Sequence, residues 1–156
     1  MNILNHSFWG FSVITVMMVC AIKVNAAQEP SSPKVQYYSH QQVDDAFAKG
    51  AKLTEGKAGK AVYQVLTASR EGPGEVELHA KDTDIFYIVE GSATFVTGGK
   101  VVGGQQTAPD EVRGKSIEGG TPHHLGPEDI IIIPAGVPHW YKSVKPPFRY
   151  LVIKVR

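Results

Sequence analysis

The chain has 156 residues, enough for one ordinary domain and too few for two. It is 42% hydrophobic and 20% charged with a formal net charge of +1, which excludes a disordered chain, a coiled coil and a multi-span membrane protein, and gives no basis for nucleic-acid binding. Its 16 glycines and 10 prolines point away from a helical bundle and toward a turn-rich β protein.

Phe8 to Ile22 is an uninterrupted run of apolar and small residues, short of the about 20 that a spanning helix needs. Val24-Asn25-Ala26 then supplies small residues where a signal peptidase reads them, so residues 1–26 are expected to be a signal peptide, cut after Ala26 or Ala27, that sends the protein to the periplasm or beyond. Before the run there is no Lys or Arg, only the amino terminus and His6, and this leaves an uncleaved membrane anchor as the alternative. Gln28-Glu29-Pro30-Ser31-Ser32-Pro33 reads as polar linker within 27–36, with the folded domain over 37–156. Lys23 is the only charged residue in 1–26, so the remainder carries 15 basic and 15 acidic residues. Every Met and the single Cys (Cys20) also lie in 1–26. Residues 27–156 therefore offer no disulfide, no thiolate metal site and no cysteine nucleophile.

Val35–Tyr38 is apolar enough to add to a neighbouring sheet edge, which gives the expectation of a homodimer. Ser39-His-Gln-Gln42 is a capping-box pattern followed by Val43, Ala46 and Phe47 at helical spacing, and predicts one short helix from about Gln41 to Lys49, ending at Gly50. Strand-type runs follow at Ala61–Ala68, Glu75–Ala80, Asp84–Val89, Ala93–Thr97, Ile130–Ile133, His139–Val144 and Phe148–Val155, punctuated by Gly and Pro. Ile130–Ile133 reads as a fully buried strand. Without repeats or alternating helices, this many short strands predict an all-β antiparallel sandwich or barrel. The Gly-rich, charged stretch from Gly98 to Pro127 reads as a long connection: a solvated hairpin, or a partial lid whose Arg113 meets a substrate carboxylate. Within it, His123-His124 reads as polar loop, since adjacent residues on an extended chain face opposite ways.

Two stretches carry a family resemblance. The first runs from Gly74 through Glu77-Leu-His79 and Asp84 to Gly91; the second runs from Gly126 through Pro134-Ala-Gly136-Val-Pro-His139 to Trp140. Together they resemble the two signature motifs of the cupin superfamily. The first family motif is Gly, then His-x-His, then Glu, then Gly after six more residues; Glu77 and Asp84 stand where it has His and Glu. The second, Pro-x-Gly-x-x-His, is matched at Pro134, Gly136 and His139, although Ser143 replaces the Asn that often follows. The resemblance implies a jelly-roll barrel that binds one divalent metal and a small polar organic ligand, with Glu77, His79, Asp84 and His139 at the metal-facing positions.

Strand alternation supports the same set. Glu77 and His79 share a face, Asp84 does so with Phe86 and Ile88, and His139 with Tyr141. Charged and imidazole side chains among apolar neighbours are costly to bury unless paired or metal-bound. Two His and two carboxylates without a thiolate suit manganese, iron, nickel or zinc, with the extra carboxylate favouring manganese or iron. Such an ion could polarise a carbonyl or enediol, or activate dioxygen or water. A Glu77 that does not coordinate is a candidate general base, and Tyr141 is the second candidate catalytic residue. Trp140, Tyr141, Phe86 and Tyr87 otherwise read as core or interface aromatics. The leading expectation is a metal-dependent oxygenase, isomerase or lyase acting on a keto or hydroxy acid or a sugar-derived molecule. The alternatives are a non-catalytic binding module and a barrel without metal.

Overall fold

The computed structural model describes residues 35–156; the expected signal peptide and most of the linker lie outside them. Helix α1 spans His40–Lys49. Its capping box is complete: the Ser39 backbone N–H donates to Gln42 Oε1 at 2.9 Å, and the Ser39 hydroxyl accepts from the Gln42 backbone. Gly50 closes it in the left-handed conformation, φ 59°. Ala46 and Phe47 are buried, and the Arg149 guanidinium lies 4.2 Å over the Phe47 ring while bonding Asp44 at 2.9 Å. The helix is thereby pinned to the sheet behind it. Among the described residues, no helix is long and apolar enough to cross a membrane.

Eleven strands follow: β1 Lys52–Ala58, β2 Ala61–Arg70, β3 Val76–His79, β4 Thr83–Thr97, β5 Lys100–Val102, β6 Gln105–Ala108, β7 Glu111–Gly114, β8 Ser116–Glu118, β9 Thr121–Leu125, β10 Ile130–Ile133 and β11 His139–Val155. The larger sheet runs β1-β2-β11-β3-β7-β6, with β4 pairing β11, β9 and β10; β5 and β8 form a separate two-stranded ribbon. Each pairing is antiparallel. This is a cupin-type jelly roll, as the motifs imply.

Two expected breaks are absent. Asp84–Val89 and Ala93–Thr97 are halves of β4, and His139–Val144 and Phe148–Val155 are halves of β11. Gly91 and the Pro146-Pro147 pair do not interrupt the strands; they bend both together. Ser92 pairs Lys145 and Glu90 pairs Arg149, with the extra residues of β11 bulging between. Gly91 has φ 81°, and a Cβ there would collide with the Pro147 carbonyl oxygen. Only glycine lets the bent strands approach so closely.

The 98–127 stretch holds a solvated hairpin, exposed β6 folding back on β7, within a set of paired short strands. β7 pairs β3 through Glu77↔Arg113, and β9 pairs β4 through Phe95↔His123. His123 and His124 therefore lie in a strand, with His123 Nε2 2.8 Å from the Thr97 hydroxyl and His124 exposed. Ile130–Ile133 is also not fully buried. Ile133 is in the core, whereas Ile130 and Ile132 are 63% and 61% exposed, because β10 covers only one face of the wall it joins. Residues 35–39 form no strand within the single chain.

The core joins Phe86, Ile88, Phe95, Ile133, Tyr141, Phe148, Tyr150 and Val152. Burying one such side chain is worth about 1.5–3 kcal/mol. Asp84 is 1% exposed and sits among the most deeply buried residues beside them.

Candidate metal centre and its cavity

Three strands and one turn bring the site together. Alternation on β3 turns Glu77 and His79 inward, and Asp84 enters from the start of β4. His139 opens β11 directly opposite Glu77. It is delivered by the turn Pro134–Val137, where Gly136 at φ 81° donates its N–H to the His79 carbonyl at 2.8 Å. One hydrogen bond thus ties the turn that presents the second imidazole to the strand carrying the first.

The imidazoles lie 5.5 Å apart between ring centroids. Ligating atoms of Glu77, His79 and His139 all fall within 4.8 Å of one another. His79 Nε2 is 3.5 Å from Glu77 Oε2 and 3.5 Å from Asp84 Oδ2. His139 Nε2 is 3.8 Å and 3.5 Å from the same two oxygens. Both Nε2 atoms are buried and have no hydrogen-bond partner. Two orphaned buried nitrogens turned toward two carboxylate oxygens are costly without a shared guest. The spacings suit donors around one ion at bonds of about 2.0–2.2 Å, so the residues present fit a divalent metal. His139 Nδ1 lies 3.2 Å from the Val137 carbonyl; an N–H there leaves the Nε2 lone pair facing the centre.

The carboxylates are not equivalent. Asp84 Oδ1 accepts from Lys154 Nζ at 2.8 Å, leaving Oδ2 toward the imidazoles. Glu77 Oε1 accepts from Arg113 Nη1 at 2.6 Å, and Arg113 Nε also donates to Glu111 at 2.6 Å. Burial alone would raise the Glu77 carboxyl. The attraction of His139, His79 and Arg113 outweighs it and holds the group far below the usual carboxylate range. Arg113 thus grips Glu77, contrary to the expectation that it meets a substrate.

Beside the centre lies a cavity of about 170 Å³ whose walls include Arg70, Glu77, Asp84, Phe86, Tyr141, Tyr150 and Lys154. The Tyr141 hydroxyl is buried without a partner, and burial pushes it well above its ordinary pKa, so it is a proton donor at neutral pH and not a base. Trp140 faces the other way and donates to the Gly74 carbonyl at 2.8 Å. Sequence reading missed Arg70 and Lys154. The available signal was parity: each is a cation at an inward position of an apolar strand, after Leu66 and Ala68 on β2 and after Tyr150 and Val152 on β11.

Residues 77–156, just over half of the chain, match the family model for the AraC-like ligand binding domain. Among solved structures, the protein BH2720 from Bacillus halodurans is 16% identical with a TM-score of 0.51, over 80% of this chain and 83% of that one. Hydroquinone 1,2-dioxygenase from Sphingomonas sp. TTNP3, with 4-hydroxybenzoate bound, is 17% identical with a TM-score of 0.49, over 73% and 72%. The nucleoside dehydratase Pac13 from Streptomyces is 12% identical with a TM-score of 0.39, over 65% and 73%. The first of these likenesses shows a shared fold. No curated protein matches the chain in sequence.

Proposed function

From the premise that the chain belongs to the AraC-like ligand-binding domain family of cupin-type folds, we propose that it is an exported metal-dependent enzyme acting on a small polar organic molecule. The observation that carries this reading is the pair of buried Nε2 atoms, without partners, aimed at the oxygens of Glu77 and Asp84. His79, His139 and Glu77 would hold the ion, with Asp84 as a fourth donor through Oδ2. A divalent ion bound there supplies polarisation of a ligand oxygen, or activation of dioxygen or water at an open position, which makes the reaction type oxygenase, isomerase or lyase. The chain's own residues supply the rest. Arg113 fixes Glu77, Lys154 fixes Asp84, and Tyr141 offers its proton to a ligand oxygen in the cavity. Export rests on the apolar run before Ala26, and the mass of the protein recovered from the periplasm tests it by showing cleavage after residue 26 or 27.

The experiment for the centre is elemental analysis of protein purified without chelator. One equivalent of manganese, iron, nickel or zinc is expected, lost in both His79→Ala and His139→Ala; metal retained in both variants refutes the assignment. The family's ligand-binding character supports a second reading, a binding module without turnover. Oxygen consumption with small keto acids, set beside calorimetric binding of the same acids, separates the two: heat of binding with no substrate consumed favours the binder.

A further inference from the structure

The cavity beside the metal centre contains a guanidinium whose one anionic neighbour among the described residues, Glu77, is already held more closely by Arg113. Glu77 Oε1 is taken by Arg113, and Arg70 Nη2 stands 3.6 Å from that oxygen, beyond hydrogen-bond reach. Among the described residues, Arg70 makes one side-chain hydrogen bond, from Nε to the uncharged Tyr150 hydroxyl at 2.9 Å. A long ion pair with Glu77 and two non-ionic contacts hold it in place. Its Cζ lies 4.5 Å from the Tyr141 ring centroid, and Gly74 leaves room for it, since a Cβ there would sit 2.6 Å from Arg70 Nη1. An arginine carries five N–H donors in a fork that matches a carboxylate, and most of this fork has no protein acceptor. On the same cavity, Tyr141 is 3% exposed and its hydroxyl is also without a partner.

Charge points the same way. The cavity walls carry Arg70 and Lys154 against Glu77 and Asp84, a balance of zero. A divalent ion on Glu77, His79 and His139 leaves an excess of positive charge in a partly enclosed space, which an anionic ligand relieves. The cavity holds the equivalent of about five or six waters, which suits a compact molecule.

We infer that the cavity takes a small 2-hydroxy or 2-oxo monocarboxylic acid of about three to six carbons, its carboxylate on Arg70 and the Tyr141 hydroxyl and its 2-oxygen toward Glu77, His79 and His139. This rests on the metal-dependent reading for the 2-oxygen, and on Arg70 with the Tyr141 hydroxyl for the carboxylate. It selects an acid over a neutral sugar.

The test is calorimetry on the manganese-loaded protein with lactate, pyruvate and lactamide, the last having the size and hydroxyl of lactate without its charge. Lactate or pyruvate is expected to bind at least tenfold more tightly than lactamide. Arg70→Met is expected to reduce acid binding at least tenfold while manganese content and melting midpoint stay at wild-type values. Gly74→Ala, which displaces the guanidinium but keeps it, serves as the second variant and is expected to weaken acid binding without loss of metal. Equal binding of lactamide, wild-type acid binding by both variants, or no binding of either acid to fully loaded protein overturns the inference. Failure of the metal reading shows separately, as absent manganese. The acids are then titrated into metal-free protein, where binding that does not depend on Arg70, or no binding, equally overturns the acid subsite.

Discussion

Two carboxylates face the same pair of imidazoles, and each has a cation directly across a strand pair: Glu77 opposite Arg113 on β3 and β7, Asp84 opposite Lys154 on β4 and β11. Their surroundings differ. Asp84 is deeply buried and depends on one ammonium. Glu77 belongs to a partly exposed network in which Arg113 serves both Glu77 and Glu111, with Arg70 close by. A buried charge with one partner cannot lose it cheaply, whereas a charge that keeps some contact with solvent has water and other cations to fall back on. The same pairing at two depths therefore makes Asp84 the costlier of the two charges to strand.

The largest effect expected from breaking this asymmetry is in stability. Lys154→Met strands the Asp84 carboxylate and should cost about 3–5 kcal/mol in urea unfolding. The double change Lys154→Met with Asp84→Leu should recover most of that, and a single-variant loss below about 1 kcal/mol would remove the distinction between the two sites. Next comes metal. Manganese at a hundred times its dissociation constant should stabilise the wild type by about 2.7 kcal/mol, seen as a raised melting midpoint, and should leave His139→Ala unmoved. Arg113→Met should then lower metal affinity about 10–100-fold by freeing Glu77, in a chelator competition, while costing the fold less than about 1 kcal/mol. The smallest effect sharpens the contrast: raising ionic strength from about 0.05 to 0.5 M should shrink the stability difference between Arg113→Met and wild type and barely alter that of Lys154→Met.

The helix and the inward faces of the motif strands were legible because their signals are local. The capping residues Ser39 and Gln42 lie three apart, and alternation already places Glu77 with His79 and Asp84 with Phe86. The turn Pro134–Gly136 announces His139 in the same way. What stayed hidden depends on pairing between distant segments. Lys52–Ala58 and the short strands within 98–127 carry few apolar residues and owe their form to partners across the sheet. Ile130 and Ile132 read as core because four isoleucines look buried, yet only the sheet's layering decides which of them meets solvent. Arg113 was visible as a cation near the site, but its match with Glu77 is a fact of register between β3 and β7.

One carboxylate touches both ends of the longest strand. Asp84 Oδ2 lies 3.5 Å from His139, where β11 begins, and Oδ1 lies 2.8 Å from Lys154, one residue before it ends. Drawn straight at about 3.3 Å per residue, those two positions would stand about 50 Å apart. The strand is thus a hoop, and Asp84 is its clasp. Whatever holds that carboxylate in place thus also ties the two ends of this strand to each other.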